Sequence, residues 1–117
     1  MTLILYGIPN CDTVKKARDW LAANHIAYAF HDYKQAGIDA DRLKVWSQKI
    51  GWEKILNRAS STYKALPDDS KEGLEEEKAI ALMIEQPSMI KRPIFETNEQ
   101  VIAGFKPDSA ELKALIS

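Results

Sequence analysis

Apolar positions fall along the chain in two alternating rhythms. Residues 2–6 are a β-branched and aliphatic run that Gly7, Pro9 and Asn10 stop, which predicts a short buried strand and a turn. From Thr13 the period lengthens. Val14, Ala17 and Leu21 stand at i, i+3 and i+7 with Lys15, Lys16, Arg18 and Asp19 between them, which predicts an amphipathic helix ending near Asn24. Residues 26–33, with Ile26, Tyr28, Phe30 and His31, read as a second strand. A strand, a helix and a strand in so short a span predict a parallel βαβ unit.

Asp39 is a predicted N-cap for a helix whose inner face is Leu43, Trp46 and Ile50. Residues 52–57 and 60–66 predict short helical pieces. Leu74, Ile80, Ala81 and Ile84 predict the inner face of a longer helix, with Glu75, Glu76, Glu77 and Lys78 on its solvated side. Residues 92–97 and 100–103 predict two antiparallel strands joined at Asn98-Glu99. Pro107-Asp108 is expected to open a last helix with Leu112, Leu115 and Ile116 inward. The expected fold is α/β: one domain over residues 1–117, a mixed sheet flanked by helices, with a helical insertion at about residues 39–89.

Composition narrows the functional classes. With 16 basic and 17 acidic residues among 117, the net charge of −1 gives no general footprint for nucleic acid. One cysteine forms no internal disulfide, and one cysteine with two histidines makes no CxxC-type zinc site; no metal is expected. The first residues lack a basic segment and a long apolar run, and no stretch approaches the roughly 20 apolar residues of a membrane span, so a cytoplasmic chain without a membrane partner is expected.

The chemistry centres on Cys11. It follows a strand and a turn and stands where the first helix begins, where free amides and the positive end of the helix dipole favour a thiolate nucleophile. Lys15 and Lys16 add positive potential and Asp12 opposes it. Ligands of open α/β sheets gather at this carboxyl edge of the strands. His31 is read as a structural histidine or a base near Cys11, His25 as a partner of the first helix's C-terminus, and Trp20, Trp46 and Trp52 as packing residues. Thr62 and Tyr63 are candidates for lining a cleft.

Three separated motifs carry a resemblance over nearly the whole chain. Cys11 after "YGIPN", "KRPIF" at residues 91–95 and "GFKP" at residues 104–107 resemble the arsenate reductase-like family on the thioredoxin fold, which includes glutaredoxin-dependent arsenate reductases and the Spx regulators. "HDYKQAG" at residues 31–37 and "STYKAL" at residues 61–66 are most similar to its branch of small glutathione-dependent thiol reductases. The resemblance implies that Cys11 is the nucleophile and that Asn10, Arg58, Arg92, Pro93 and Lys106 bind the substrate or an anion, with Pro93 a cis-proline. Lysine stands at 106 where arsenate reductases carry arginine, which keeps charge and loses the bidentate fork. The family's arginine in the insertion falls on Asn57 in register, with Arg58 beside it.

Val14 occupies the position at which a CxxC motif would place its second cysteine, so disulfide chemistry here is monothiol. The resemblance implies no bound cofactor, glutathione as co-substrate, glutathione or glutaredoxin as donor, a disulfide or oxyanion as substrate, and a monomer. It leaves two other readings: arsenate reduction at Cys11, and an Spx-like regulator that binds RNA polymerase without catalysis.

Overall fold

The computed structural model describes residues 2–116, apart from the side chain of Ile116. The chain divides into two compact units, residues 1–36 with 92–117, and residues 37–91. In chain order the first unit holds strand β1 (Ile4–Gly7), helix α1 (Asp12–Ala23), strand β2 (Ala29–Asp32) and the single turn α2 (Tyr33–Ala36). The second holds α3 (Ala40–Ile50), α4 (Trp52–Ile55), α5 (Ser61–Lys64), α6 (Asp68–Lys71), α7 (Glu76–Glu85) and a 3₁₀ turn at Pro87–Met89. The chain then returns to the first unit with β3 (Ile94–Glu96), β4 (Val101–Ala103) and α8 (Ala110–Ile116).

The four strands form one mixed sheet in the order β2-β1-β3-β4. β1 pairs parallel with β2, as a βαβ unit requires, and antiparallel with β3, which pairs antiparallel with β4. Successive side chains point to opposite faces. Leu3, Leu5, Phe95 and Ile102 therefore share one face, where they are buried with Ala17 and Leu21 of α1 and Leu112 of α8. Trp20, Phe30, Phe105 and Leu115 close over this cluster. The other face carries Tyr6, whose hydroxyl donates to the buried Glu96 carboxylate at 2.8 Å, and whose ring meets that of His31 at 4.9 Å. His31 is thus part of the sheet's packing.

α1 forms as its period predicts: Val14, Ala17 and Leu21 are its buried residues. It approaches β1 closely, since a Cβ on Gly7 would lie 2.8 Å from Val14 Cγ2. Only glycine admits this contact. The position three after Cys11 is thereby a packing position filled by a branched side chain. His25, just past the helix, takes a φ of 56° and its amide bonds the Ala22 carbonyl, which ends the helix in a left-handed residue.

The second unit has its own core. Asp39 caps α3, its carboxylate accepting the Arg42 amide at 2.8 Å, and Leu43 and Trp46 are buried. Ile50 is only half-buried. Leu56 bridges Ile90 in an isolated antiparallel pair, which ties the segment after α4 to that after the 3₁₀ turn.

Several boundaries and one helix face differ from the sequence reading. α7 buries Ala79, Ile80 and Met83, while Ala81 and Ile84 are exposed and Leu74 precedes the helix. Apolar residues surround this helix almost completely, so period alone does not choose its inner face. Glu76 is half-buried and accepts the Ser47 hydroxyl at 2.7 Å, so it is not part of a uniformly solvated acidic side. Tyr33 belongs to α2 and not to the second strand, because Asp32 Oδ1 accepts the Lys34 amide at 3.0 Å and turns the chain into a helical turn. The last helix starts at Ala110, with Ser109 Oγ accepting the Leu112 amide at 3.3 Å. Proline and aspartate at 107–108 therefore lie in the turn ahead of it. Leu112 is buried and Leu115 partly so; the inward placement expected of Ile116 lies outside the described residues.

Candidate active site at the sheet edge

Strand register brings the chemistry-bearing loops to one edge. Gly7 faces Asp32 at the end of the parallel pair, and Tyr6 faces Ile94, which faces Ala103. The turn carrying Asn10 and Cys11, the start of α2 at Tyr33, the Arg92-Pro93 segment and the loop carrying Lys106 all leave the first unit's sheet at this edge. They come from sequence positions far apart, and only the strand pairing assembles them.

Cys11 is the N-cap of α1, with extended backbone angles (φ −95°, ψ 126°). Its amide closes the preceding turn on the Ile8 carbonyl at 3.4 Å, and its carbonyl accepts the Lys15 amide at 3.0 Å. The sulfur makes no capping hydrogen bond and is partly solvent-exposed. A thiol so placed sits beside the orphan amides of the first helical turn, where a developing negative charge is favoured. Asn10 is exposed in the turn just ahead of it.

The Arg92–Pro93 peptide is cis, as the family resemblance implies. The Pro93 carbonyl accepts the Gly104 amide at 2.8 Å, which ties this segment to the end of β4. Arg92 is half-buried, and its guanidinium lies near enough to the Tyr33 hydroxyl to act on its ionisation. Tyr33 is fully buried, and its hydroxyl is within electrostatic range of Cys11. Lys106 is exposed in the loop after Gly104.

Burial holds the Tyr33 phenol in its neutral form and pushes its ionisation well above the usual tyrosine range; the Arg92 guanidinium opposes this, and the negative charges of Cys11 and Asp32 add to it. An ordinary tyrosine ionises at about 10. Above that pH the folded chain keeps a proton that the unfolded chain releases, so stability falls as pH rises; below it the contribution is complete. The urea midpoint of the natural chain is therefore expected to drop more steeply between about pH 9 and about pH 11 than that of Tyr33→Phe. Parallel curves would show that Tyr33 ionises as an exposed tyrosine does.

Arg58 lies in the second unit, exposed, with its guanidinium 5.4 Å from the centre of the Trp52 ring. Asn57 turns its side-chain oxygen to the Ala59 amide at 3.1 Å. Thr62 is hydrogen-bonded to Ser88, and the Tyr63 ring faces Lys71. Each of these residues is engaged within its own unit. Tyr33 is the site residue that sequence reasoning missed. It sits in the "HDYKQAG" motif, yet its position in a predicted strand hid its link to Arg92. Among the described residues no three His, Cys, Asp or Glu side chains are grouped to hold a metal ion, and no helix is long and apolar enough to cross a membrane.

Comparison with known proteins agrees with this architecture. The ArsC family model matches residues 6–112. The chain belongs to the ArsC family. The solved structure of the YFFB protein superposes with a TM-score of 0.93 at 49% identity, covering 98% of this chain and 99% of that one. An arsenate reductase (ArsC) related protein from Brucella melitensis gives a TM-score of 0.77 at 46% identity, covering 97% and 93%. The global transcriptional regulator Spx of Streptococcus mutans is 30% identical over 114 residues, 96% of this chain and 81% of its own. The fold is accordingly the thioredoxin-like one of arsenate reductase-like proteins, and a global transcriptional regulator is among the chain's relatives.

Proposed function

We propose that this ArsC-family chain is a glutathione-dependent thiol/disulfide reductase that works through Cys11 alone. The observation that carries the reading is the placement of Cys11: an N-cap sulfur with no capping bond, partly exposed, at the same sheet edge as Arg92 and the cis-proline. Its thiolate attacks the glutathione sulfur of a mixed disulfide RS–SG. The RS–SG bond breaks, RS⁻ leaves and takes a proton from water, and Cys11 becomes glutathionylated. A second glutathione thiolate then attacks the glutathione sulfur on Cys11, releasing oxidised glutathione and restoring the Cys11 thiolate. The substrate gains two electrons and glutathione supplies them. Val14 in place of a second cysteine makes this external resolution necessary.

Arg92 and Lys106 supply positive charge for the carboxylates of glutathione, Arg92 by charge-assisted hydrogen bonds. Asn10 and Pro93 shape the approach to the sulfur. The roles of Arg58 and of glutaredoxin as a donor rest on the family resemblance. Incubation of the reduced chain with excess oxidised glutathione is expected to give one glutathionyl adduct per chain at Cys11 by mass spectrometry, released by added reduced glutathione. A chain that takes no adduct while an unfolded control does would sink the proposal.

The relative that is a global transcriptional regulator favours a second reading: the one the family resemblance implies, in which the chain binds RNA polymerase and the sulfur is dispensable. In that case Cys11→Ser retains the polymerase in a pull-down. Arsenate as the substrate is the third reading; arsenate-dependent oxidation of glutathione by the chain would support it.

A further inference from the structure

We propose that the outer edge of β2, with the Arg18 guanidinium beside it, is a docking site for an extended peptide segment that carries acidic residues at alternate positions. The inference goes beyond the thiol chemistry and uses neither Cys11 nor the loops around it.

The strand leaves its outer side open. β2 is terminal in the sheet order and pairs only with β1. The Ala29 amide donates to the Leu3 carbonyl at 3.0 Å, so the backbone groups of Ala29 point toward β1. Backbone groups alternate sides along a strand, which turns the N–H and C=O of Phe30 outward. Among the described residues nothing pairs with them. Such a row of unpaired groups is a template for an added strand.

Beside this edge an arginine is held in one orientation. Arg18 is half-buried on α1, and its guanidinium carbon lies 4.4 Å from the centre of the Phe30 ring and 5.9 Å from that of Tyr28. Its Nε donates to the Tyr28 hydroxyl at 3.0 Å. The remaining guanidinium donors sit on the two terminal nitrogens, and among the described residues nothing accepts from them. The two rings and the hydroxyl thus fix the planar group while its carboxylate-matching donors stay free.

Charge selects the occupant. Lys15 stands one turn earlier on the same side of α1, exposed and without a partner among the described residues. Helical residues three apart are spaced by about 5–6 Å. Side chains two apart on a strand are spaced by about 6.5 Å, so a segment paired with β2 can set one carboxylate at Arg18 and the next at Lys15. Asp19 follows Arg18 directly, and adjacent helical residues do not face each other. Asp32 ends β2 with Oδ1 accepting the Lys34 and Gln35 amides at 3.0 and 3.4 Å. A second copy of β2 would bring only this one carboxylate, already bonded to its own α2, so it matches the two cations less well than an acidic segment does.

The test titrates the peptide acetyl-Val-Glu-Val-Glu-Val-Glu-Val-amide into the ¹⁵N-labelled natural chain at low ionic strength, where fixed charges act furthest. By NMR the Phe30 amide is expected to shift and to exchange more slowly, while the Ala29 amide, already bonded to Leu3, changes little. The same peptide with glutamine for glutamate is expected to bind at least about tenfold more weakly, and Arg18→Ala to weaken the glutamate peptide by roughly fivefold or more. Lys15→Gln is expected to weaken it by about twofold or more. No saturable change at Phe30 with millimolar peptide overturns the proposal, as does a response confined to other residues. Equal binding of the glutamine peptide overturns the role of the cations. Broadening of the Phe30 amide that grows with the concentration of the chain alone would make a second copy the occupant and overturn the acidic segment. If Arg18→Ala does not fold, Lys15→Gln and the glutamine peptide still decide, because Lys15 is exposed and makes no contact that the fold needs.

Discussion

Replacement of Cys11 by serine is expected to abolish glutathione-dependent disulfide reduction while leaving the fold intact or slightly more stable. Serine is a far weaker nucleophile than a thiolate near neutral pH, and no second cysteine exists to substitute, so turnover should fall by at least about a thousandfold. The stability expectation has a separate cause. Cys11 is the N-cap of α1, and its sulfur makes no capping bond. Serine is among the preferred N-caps because its hydroxyl accepts an orphan amide of the first turn, a contribution of about 0.5–2 kcal/mol in comparable positions. The variant should therefore unfold at the same urea concentration as the natural chain or a higher one. Coupled assay of glutathione oxidation with a small mixed disulfide reads the first half, and urea denaturation the second. Activity that survives in a folded Cys11→Ser would remove the enzymatic reading and leave the binding one.

The largest structural loss is expected from Phe95→Ala. Phe95 is 1% exposed and central in the sheet, paired in register with Leu5 and Ile102. Its ring meets Trp20 edge-on at 6.5 Å and stacks with Phe105 at 6.4 Å, while Trp20 and Phe105 meet at 6.0 Å. Three rings thus close a triangle over the inner face of the sheet. Truncation removes the apolar surface and leaves a void that a strand on one side and two aromatic residues on the other fill poorly, at a cost of about 3–5 kcal/mol. Against a total stability of about 5–15 kcal/mol for a domain of this size, this is a large share. Urea unfolding followed by tryptophan fluorescence should show a midpoint far below that of the natural chain. A loss under about 1 kcal/mol would mean that the triangle repacks around the cavity.

Elements with a strong, one-sided period are legible in the order of residues. α1 is the clear case: three apolar residues at helical spacing between charged ones leave a single way to bury the stripe, and Val14, Ala17 and Leu21 are buried accordingly. The β1-α1-β2 unit and the β3–β4 hairpin follow from short connections, which restrict how neighbouring strands pair. The N-cap at Asp39 is equally local, since its carboxylate reaches an amide three residues on. Cys11 is legible as the candidate reactive centre because a helix start is a local electrostatic environment.

Where local signals are ambiguous, packing chooses. α7 has apolar residues on nearly every side, and its neighbours, not its period, select Ala79, Ile80 and Met83. Tyr33 reads as a strand residue by composition, yet the Asp32 carboxylate turns the backbone and sends the ring into the interior. The α/β pattern, the family and the candidate nucleophile all follow from the chain's residues in order, because each depends on contacts within a turn or on motifs at set spacings. The meeting of Tyr33 and Arg92 at the Cys11 edge follows only from the folded sheet. It needs β2 and β3 to flank β1 in register, and register is set by burial of the whole sheet face and not by the residues that use it.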